Sequence, residues 1–307
     1  MKKVLVATVK PFAPVAISGI KKVLDSAGYE LVLLEKYENQ EELIRSVEEV
    51  DALIVRSDKA DKEVIKYCKN LKIIVRAGAG YDNIDLEAAS GRGIVVMNTP
   101  GQNSNAVAEL GLGMMVYIAR NCFDGKPGKE LKDKTLGIHG YGNVGKRIAT
   151  IAFGFGMDIY AFDPFIDTSV IENDRVKVIK SVDELYRTCQ YISLHIPAND
   201  ETRESINYDI LKLMPQDATL VNTARKEIIC EESLLKMFAE RNDFKYVSDI
   251  APDSSDKIEK NYPGRYYFTP KKMGAQTAEA NINAGIAAAS QIVNYFEKGD
   301  TTYEVNR

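Results

Sequence analysis

An α/β fold with two domains, each a doubly wound parallel sheet, is what this sequence predicts. Three observations carry the reading. The chain has 307 residues, too many for one ordinary hydrophobic core and suited to two. Short β-branched runs alternate with amphipathic stretches, as when strands are joined by crossover helices. The runs form two series, separated by a charged connector over 124–134 that carries Gly125, Pro127 and Gly128 and reads as a loop.

In the first series, strands are expected over 4–9, 30–34, 52–56, 73–76 and 95–97, with helices such as 15–27 and 62–70 between them. The second series comprises 135–139, 158–162, 191–194, 219–222 and 245–249. Each strand is a near-continuous apolar run, as required when helices cover both faces of a sheet. Two longer helices complete the pattern. The stretch 105–120 is apolar on most sides, which predicts burial between domains or between subunits. In 278–296, Ile282, Ile286, Ala289, Val293 and Phe296 recur at helical spacing, and this helix is expected to return to the first domain.

Composition excludes several classes. Apolar residues make up 45% and charged residues 27%, as in water-soluble globular proteins. No apolar run has the length of a membrane span. The apolar start Val4-Leu5-Val6 stops at Lys10-Pro11, so it reads as a strand and not as a signal peptide. A net charge of −4 offers no general attraction to nucleic acid or to anionic lipid. The four cysteines, Cys68, Cys122, Cys189 and Cys230, form no CxxC pair, so reduced thiols in a cytoplasmic protein, without a metal site, are expected.

The strand Thr135-Leu136-Gly137-Ile138-His139 runs into Gly140-Tyr141-Gly142-Asn143-Val144-Gly145, a GxGxxG turn followed by a helix over 146–153. Gly140 permits the tight turn, Gly142 lets backbone approach a pyrophosphate, and Gly145 lets the helix pack on the strand. A bare GxGxxG is weak. Its context strengthens it: a second strand, Ile159-Tyr160-Ala161-Phe162, ends in Asp163, about 20 residues on, where an acid should bond both ribose hydroxyls. The competing reading of Asp163 is a turn cap before Pro164. No arginine follows it to receive a 2′-phosphate, so NAD is expected in preference to NADP. The two histidines, His139 and His195, lie at strand ends and read as packed residues; His195-Ile196-Pro197 falls beside the expected adenosine.

Three further segments make the reading specific: Val75-Arg76-Ala77-Gly78-Ala79-Gly80-Tyr81-Asp82-Asn83-Ile84-Asp85, Asn98-Thr99-Pro100 with Val107-Ala108-Glu109, and Val221-Asn222-Thr223-Ala224-Arg225. With the glycine turn they resemble the D-2-hydroxyacid dehydrogenase family over almost the whole chain. Within it they are closest to the branch that oxidises phosphoglycerate, in its short form without a C-terminal regulatory domain. The resemblance implies a Rossmann NAD-binding domain over 101–279, a discontinuous substrate-binding domain over 1–100 plus 280–307, and an active site in the cleft between them. It further implies a small phosphorylated 2-hydroxyacid as substrate, a place at the start of serine biosynthesis, a homodimer, and no inhibition by serine.

Family roles carry over residue by residue. Arg225 takes the arginine that grips the substrate carboxylate and polarises the keto oxygen. Asp249 matches the acid that reaches the nicotinamide amide. Arg76, Ala77, Gly78 and Ala79 match the loop that meets substrate and cofactor, with Asn103 beyond it. Asn143, Val144, Thr223 and Ala224 match cofactor contacts, as do Gly274 and Ala275. Arg56 matches a phosphate-binding position; its bland alternative is a solvated strand-end charge. Lys10 is a weaker candidate of the same kind.

Two departures stand out. Ser254 occupies the position of the family's catalytic Glu, with Asp253 and Asp256 offset beside it. Where the family has its acid/base His, this chain has Lys271-Lys272. Counting from Gly274-Ala275 gives Lys272, and counting from Thr269-Pro270 gives Lys271. A lysine half-buried near Arg225 should have its pKa lowered from about 10.4, and a Glu partner would oppose that, so joint loss of His and Glu is coherent. The connector is also shorter than the family's, which carries a neighbouring subunit's arginine to the substrate phosphate. Two rival readings remain: a reductase for hydroxypyruvate, glyoxylate or D-lactate, and a non-catalytic NAD-sensing protein. Turnover with NAD and phosphoglycerate separates the enzyme from the NAD-sensing protein, and the phosphate-side residue Arg56 discriminates between the substrates.

Overall fold

A computed structural model describes residues 1–307, and the chain divides into two units: Met1–Asn103 with Gln276–Arg307, and Ser104–Ala275. In the first, strands β1 (Lys3–Thr8), β2 (Glu30–Glu35), β3 (Ala52–Val55), β4 (Ile73–Arg76) and β5 (Val95–Asn98) form a parallel sheet in the order β2-β1-β3-β4-β5. Alternation explains its position. Leu5, Ala7, Leu53, Val55 and Ile74 enter one core with Leu43, Val64 and Ile65 from the helices on that side. Val4, Val6, Ala52, Ile54, Ile73 and Val75 enter a second core with Ile20, Leu24, Ala288 and Ile292. Successive side chains point to opposite faces, and both faces are covered.

The helix Ala278–Lys298 packs on Pro14–Ser26 within this unit. Each helix offers a glycine to the other's isoleucine: a Cβ on Gly19 would lie 2.6 Å from Ile286 Cδ1, and one on Gly285 would lie 3.0 Å from Ile20 Cδ1. The residues after this helix then cover the free edge of β5. Val305 N donates to the Val96 carbonyl (2.9 Å), and Val96 N donates to Asn306 Oδ1 (2.8 Å). Asn306 Nδ2 in turn reaches the Ile94 carbonyl (3.0 Å) and Ser90 Oγ (2.9 Å). Val96 is buried, so Asn306→Ala leaves its N–H without a partner. We expect a loss of about 1–3 kcal/mol in urea unfolding; a change below about 0.5 kcal/mol would show that water replaces the amide.

The second unit holds β6 (Thr135–His139), β7 (Asp158–Phe162), β8 (Lys177–Val178), β9 (Tyr191–Leu194), β10 (Thr219–Asn222), β11 (Lys245–Ser248) and β12 (Tyr266–Phe268). The order is β12-β11-β10-β9-β6-β7-β8, again all parallel. This is the dinucleotide-binding order with one strand added, and its direction reverses between β6 and β9. The edge strands β8 and β12 were not expected from sequence: they have 2 and 3 residues, too few to show a period. The helix Ser104–Ala119 lies in this unit's core, where Ala108, Leu112 and Met115 join Leu136 and Ile148. Gly111 allows the close approach, since a Cβ there would lie 3.0 Å from Ile148 Cδ1. All four cysteines are free, and no helix is long and apolar enough to cross a membrane.

Candidate active site

The glycine turn lies where strand order reverses. Gly140 has φ +95°, and a Cβ there would lie 2.9 Å from the carbonyl carbon of His195. A side chain is excluded twice, by backbone conformation and by the neighbouring strand. A Cβ on Gly145 would lie 2.4 Å from the Gly140 carbonyl oxygen, so the helix Asn143–Gly154 can start this close only with glycine. Gly142 faces open space, and the helix that follows has no side-chain cap. Its first N–H groups, with Asn143 and Val144 leading, are therefore available to an anion.

Asp163 is built into the turn. Its Oδ2 accepts from Tyr141 N (2.8 Å) and its Oδ1 from Phe165 N (2.9 Å). The carboxylate thus holds the glycine turn in shape, and each oxygen keeps a lone pair for a ribose hydroxyl. The cap reading and the ribose reading are compatible. His139 is buried, 3.4 Å from the Tyr186 hydroxyl, and burial pushes its pKa down to about 4. His195 is half-buried with Nε2 2.9 Å from Ser193 Oγ, and desolvation, then the neighbouring His139, take its pKa down to about 3. Both imidazoles are neutral near pH 7. Ile196 is half-buried and Pro197 exposed beside them.

At the C-terminal ends of β10, β11 and β12 a second constellation forms. Asn222 is buried; its Oδ1 accepts from Ala224 N (2.9 Å) and its Nδ2 donates to the Arg225 carbonyl (2.9 Å). This clamp fixes the peptides that flank the Ala224-Arg225 pair. The Ala224 carbonyl then accepts from Arg225 Nη1 (3.0 Å) and from Lys272 Nζ (3.3 Å), so both cations meet on one oxygen. Lys271 and Lys272 are both exposed, so the half-buried amine expected from the sequence is not found. The Lys271 carbonyl accepts from Thr269 Oγ1 (2.7 Å), a hydroxyl that also reaches the Asp249 carbonyl (2.9 Å). Asp249 is buried, its Oδ2 accepting from Gly274 N (3.1 Å). Burial pushes its carboxyl up, while the Lys272 ammonium, the Gly274 N–H and the Arg225 guanidinium pull the other way. Its Oδ1 and the Thr223 hydroxyl are buried with no hydrogen-bond partner. Such atoms are costly unless something binds there.

The acids offset from the missing Glu are engaged otherwise or lie apart. Asp253 pairs with Lys226 at 2.5 Å on the surface, and Glu231 accepts from Asp253 N (2.6 Å) and Ser254 N (2.8 Å). Asp256 is exposed in the first turn of the helix Ser255–Asn261.

In the first unit, the loop after β4 is shaped by Gly78, with φ +147°. The Arg76 side chain folds back over it: a Cβ on Gly78 would lie 1.3 Å from Arg76 Nη1, which donates to the Ala77 carbonyl (3.3 Å). Asn98 Nδ2 holds the Ala79 carbonyl (2.6 Å). Asn103, half-buried, is the last residue before the second unit. Arg56, at the end of β3, is no solvated charge. It is half-buried over the Phe12 ring (5.0 Å), with Nη2 on Asn281 Oδ1 (2.6 Å) and Nη1 towards the Lys10 carbonyl (3.4 Å).

The family model described as "D-isomer specific 2-hydroxyacid dehydrogenase, catalytic domain" matches residues 6–306. The chain belongs to this family. It is accordingly an NAD-dependent dehydrogenase. A hydroxypyruvate reductase of Thermotoga maritima is 37% identical over 283 residues, 86% of this chain and 90% of that protein. A D-3-phosphoglycerate dehydrogenase of Methanocaldococcus jannaschii is 36% identical over 82% of this chain but 51% of its own length. The chain thus spans about half of that relative. The solved NAD+-bound 3-phosphoglycerate dehydrogenase of Entamoeba histolytica is 50% identical, with TM-score 0.88, over 100% of this chain and 99% of that one.

The residues present fit NAD. The open face at Gly142 and the uncapped helix suit a pyrophosphate, Asp163 suits a ribose diol, and the unpartnered Asp249 Oδ1 suits a carboxamide N–H. Sequence reasoning had missed three supporting residues: Asn222, Thr269 and Asn281. Asn222 sat inside a quoted motif, and its position at a strand's C-terminal end was the signal. For Asn281, paired with a residue 225 positions away, there was none.

Proposed function

We propose that this chain oxidises D-3-phosphoglycerate to 3-phosphohydroxypyruvate, the first step of serine biosynthesis, with Lys272 as acid/base and Arg225 as carboxylate anchor. The observation that carries the reading is the convergence of these two cations on the Ala224 carbonyl. NAD, when bound, supplies the hydride acceptor for C2. The chain's own residues do the rest. Arg225 fixes the carboxylate and polarises the C2 oxygen. Lys272, as a neutral amine, takes the hydroxyl proton as the C–H bond breaks, and in reverse its ammonium returns it. Asp249 and Thr223 orient the nicotinamide end, and in the loop after β4, where the Ala77 and Gly78 N–H groups are taken by the Val55 and Arg76 carbonyls, the backbone beyond Gly78 meets the substrate. On this assignment Ser104–Ala275 is the NAD-holding unit, and Arg56 receives the substrate phosphate.

The phosphorylated substrate is favoured by likeness to two phosphoglycerate dehydrogenases and by Arg56. A guanidinium has five N–H donors, and two are engaged here, so an edge remains for a phosphate. The hydroxypyruvate reductase relative supports a second reading, with the same chemistry on an unphosphorylated acid. Steady-state rates separate them. Arg56→Ala is expected to weaken 3-phosphoglycerate by about 1.5–3 kcal/mol in kcat/KM, the worth of a charge-assisted contact, and to leave D-glycerate and hydroxypyruvate nearly unchanged. Equal losses on all three would make Arg56 a structural residue.

A further inference from the structure

The side chain that holds Arg56 is an amide, and the choice has a consequence for selectivity. Arg56 ends β3, next to β1 in the order β2-β1-β3-β4-β5. Strand order reverses between these two strands, which is where open parallel sheets bind ligands. Its guanidinium is positioned from three sides: Phe12 below, the Lys10 carbonyl, and Asn281 Oδ1 at 2.6 Å. Asn281 lies on the helix Ala278–Lys298, and its Nδ2 donates to the Thr277 carbonyl (2.8 Å). That donation fixes the amide orientation and leaves only the oxygen to face Arg56. A carboxylate in the same place would orient Arg56 equally well, but would also cancel its charge. The acid nearest by, Asp58, is buried, and its Oδ1 accepts from Val9 N (2.7 Å) and the Tyr37 hydroxyl (2.8 Å). It acts on Arg56 only through space and less than burial does, so a carboxylate in direct contact at position 281 would be a much stronger rival.

We infer that Asn281 is a positioning residue for substrate selectivity: it aims the Arg56 guanidinium without neutralising it, which reserves the positive charge for the phosphate of the substrate. The inference rests on the proposed phosphoglycerate activity and adds a determinant on the C-terminal helix.

The decisive variant is Asn281→Asp, nearly isosteric and able to keep an acceptor for Arg56, although it gives up the Nδ2 donor to the Thr277 carbonyl. A purely structural role would therefore show as a loss shared by both substrates and by the thermal midpoint, not as a loss confined to the phosphorylated acid. Measured by steady-state kinetics, it is expected to raise KM for 3-phosphoglycerate about ten-fold, the effect of replacing a neutral acceptor by a charged rival. KM values for NAD and hydroxypyruvate, and kcat for both substrates, stay within about two-fold, as does the thermal midpoint within a few degrees. Asn281→Ala, which frees Arg56 but leaves its charge, has a smaller effect, about three-fold on the same KM. Wild-type protein that handles D-glycerate as well as 3-phosphoglycerate overturns the substrate reading, and this inference with it. If the wild-type preference is present but Asn281→Asp leaves it intact, or raises both substrates' KM alike, the role of Asn281 alone is overturned.

Discussion

Replacing Lys272 by Met lowers turnover by about 10²–10⁴-fold and leaves NAD binding intact, the expected outcome of removing a general acid/base. Both lysines are exposed, but Lys272 Nζ shares the Ala224 carbonyl with Arg225, whereas in Lys271 the engaged group is its carbonyl, held by Thr269. Lys271→Met should therefore change turnover by no more than a few-fold. The two directions of reaction need opposite forms of the amine. Oxidation requires it neutral and reduction requires it protonated, so along one alkaline titration the forward rate climbs while the reverse rate falls. Neither histidine can mimic this, because burial holds both well below the ordinary imidazole range, at about 4 and about 3. A forward rate rising near pH 6 to 7 would point to an imidazole after all. If neither lysine change costs more than a few-fold, the proton passes to water and lysine is an electrostatic anchor.

What the sequence made legible was local. Gly140, Gly142 and Gly145 are set by a strand, a turn and a helix in direct succession, so the spacing together with that context made the glycine turn legible. Asp163 could be read because it ends the next strand. Gly274, the fixed point from which Lys272 is counted, is pinned in the structure: its N–H bonds Asp249, and a Cβ there would lie 2.8 Å from Asp249 Oδ2. Thr269-Pro270, the other fixed point, leads into exposed residues that leave a shift of one unresolved. What sequence could not show was pairing across distance. Nothing near Asp253 announces Lys226 as its partner, and nothing near Arg56 announces Asn281. The edge strands escaped because a pair or triplet of residues has no period to read. His195, read from sequence as a packed residue, is met by the Ser193 hydroxyl two residues away. Side-chain partners at i+2 along a strand share a face, and that much the alternation could have suggested.

Discrimination between NAD and NADP should be a factor on the order of 10²–10³ in kcat/KM, and Asp163 should carry most of it. A 2′-phosphate beside this carboxylate would meet a like charge at a few ångströms, worth roughly 3–4 kcal/mol at the effective dielectric of a protein surface. The structure changes which variant tests this cleanly. Asp163 also accepts from Tyr141 N and Phe165 N, so Asp163→Ala releases the glycine turn and lowers affinity for both cofactors. Asp163→Asn removes the charge and retains one amide oxygen for the turn. Its expected signature is a preference reduced by about ten-fold or more, chiefly through improved use of NADP, with NAD kcat within a few-fold of the original. Asp163→Ala narrows the same ratio but loses NAD affinity as well, because the peptide at Tyr141 no longer has its acceptor. A preference for NAD that survives Asp163→Asn unchanged would mean that shape, not charge, excludes the 2′-phosphate. Comparable efficiency with both cofactors in the unaltered protein would mean that another cation reaches the phosphate, and Asp163 would then serve the turn alone.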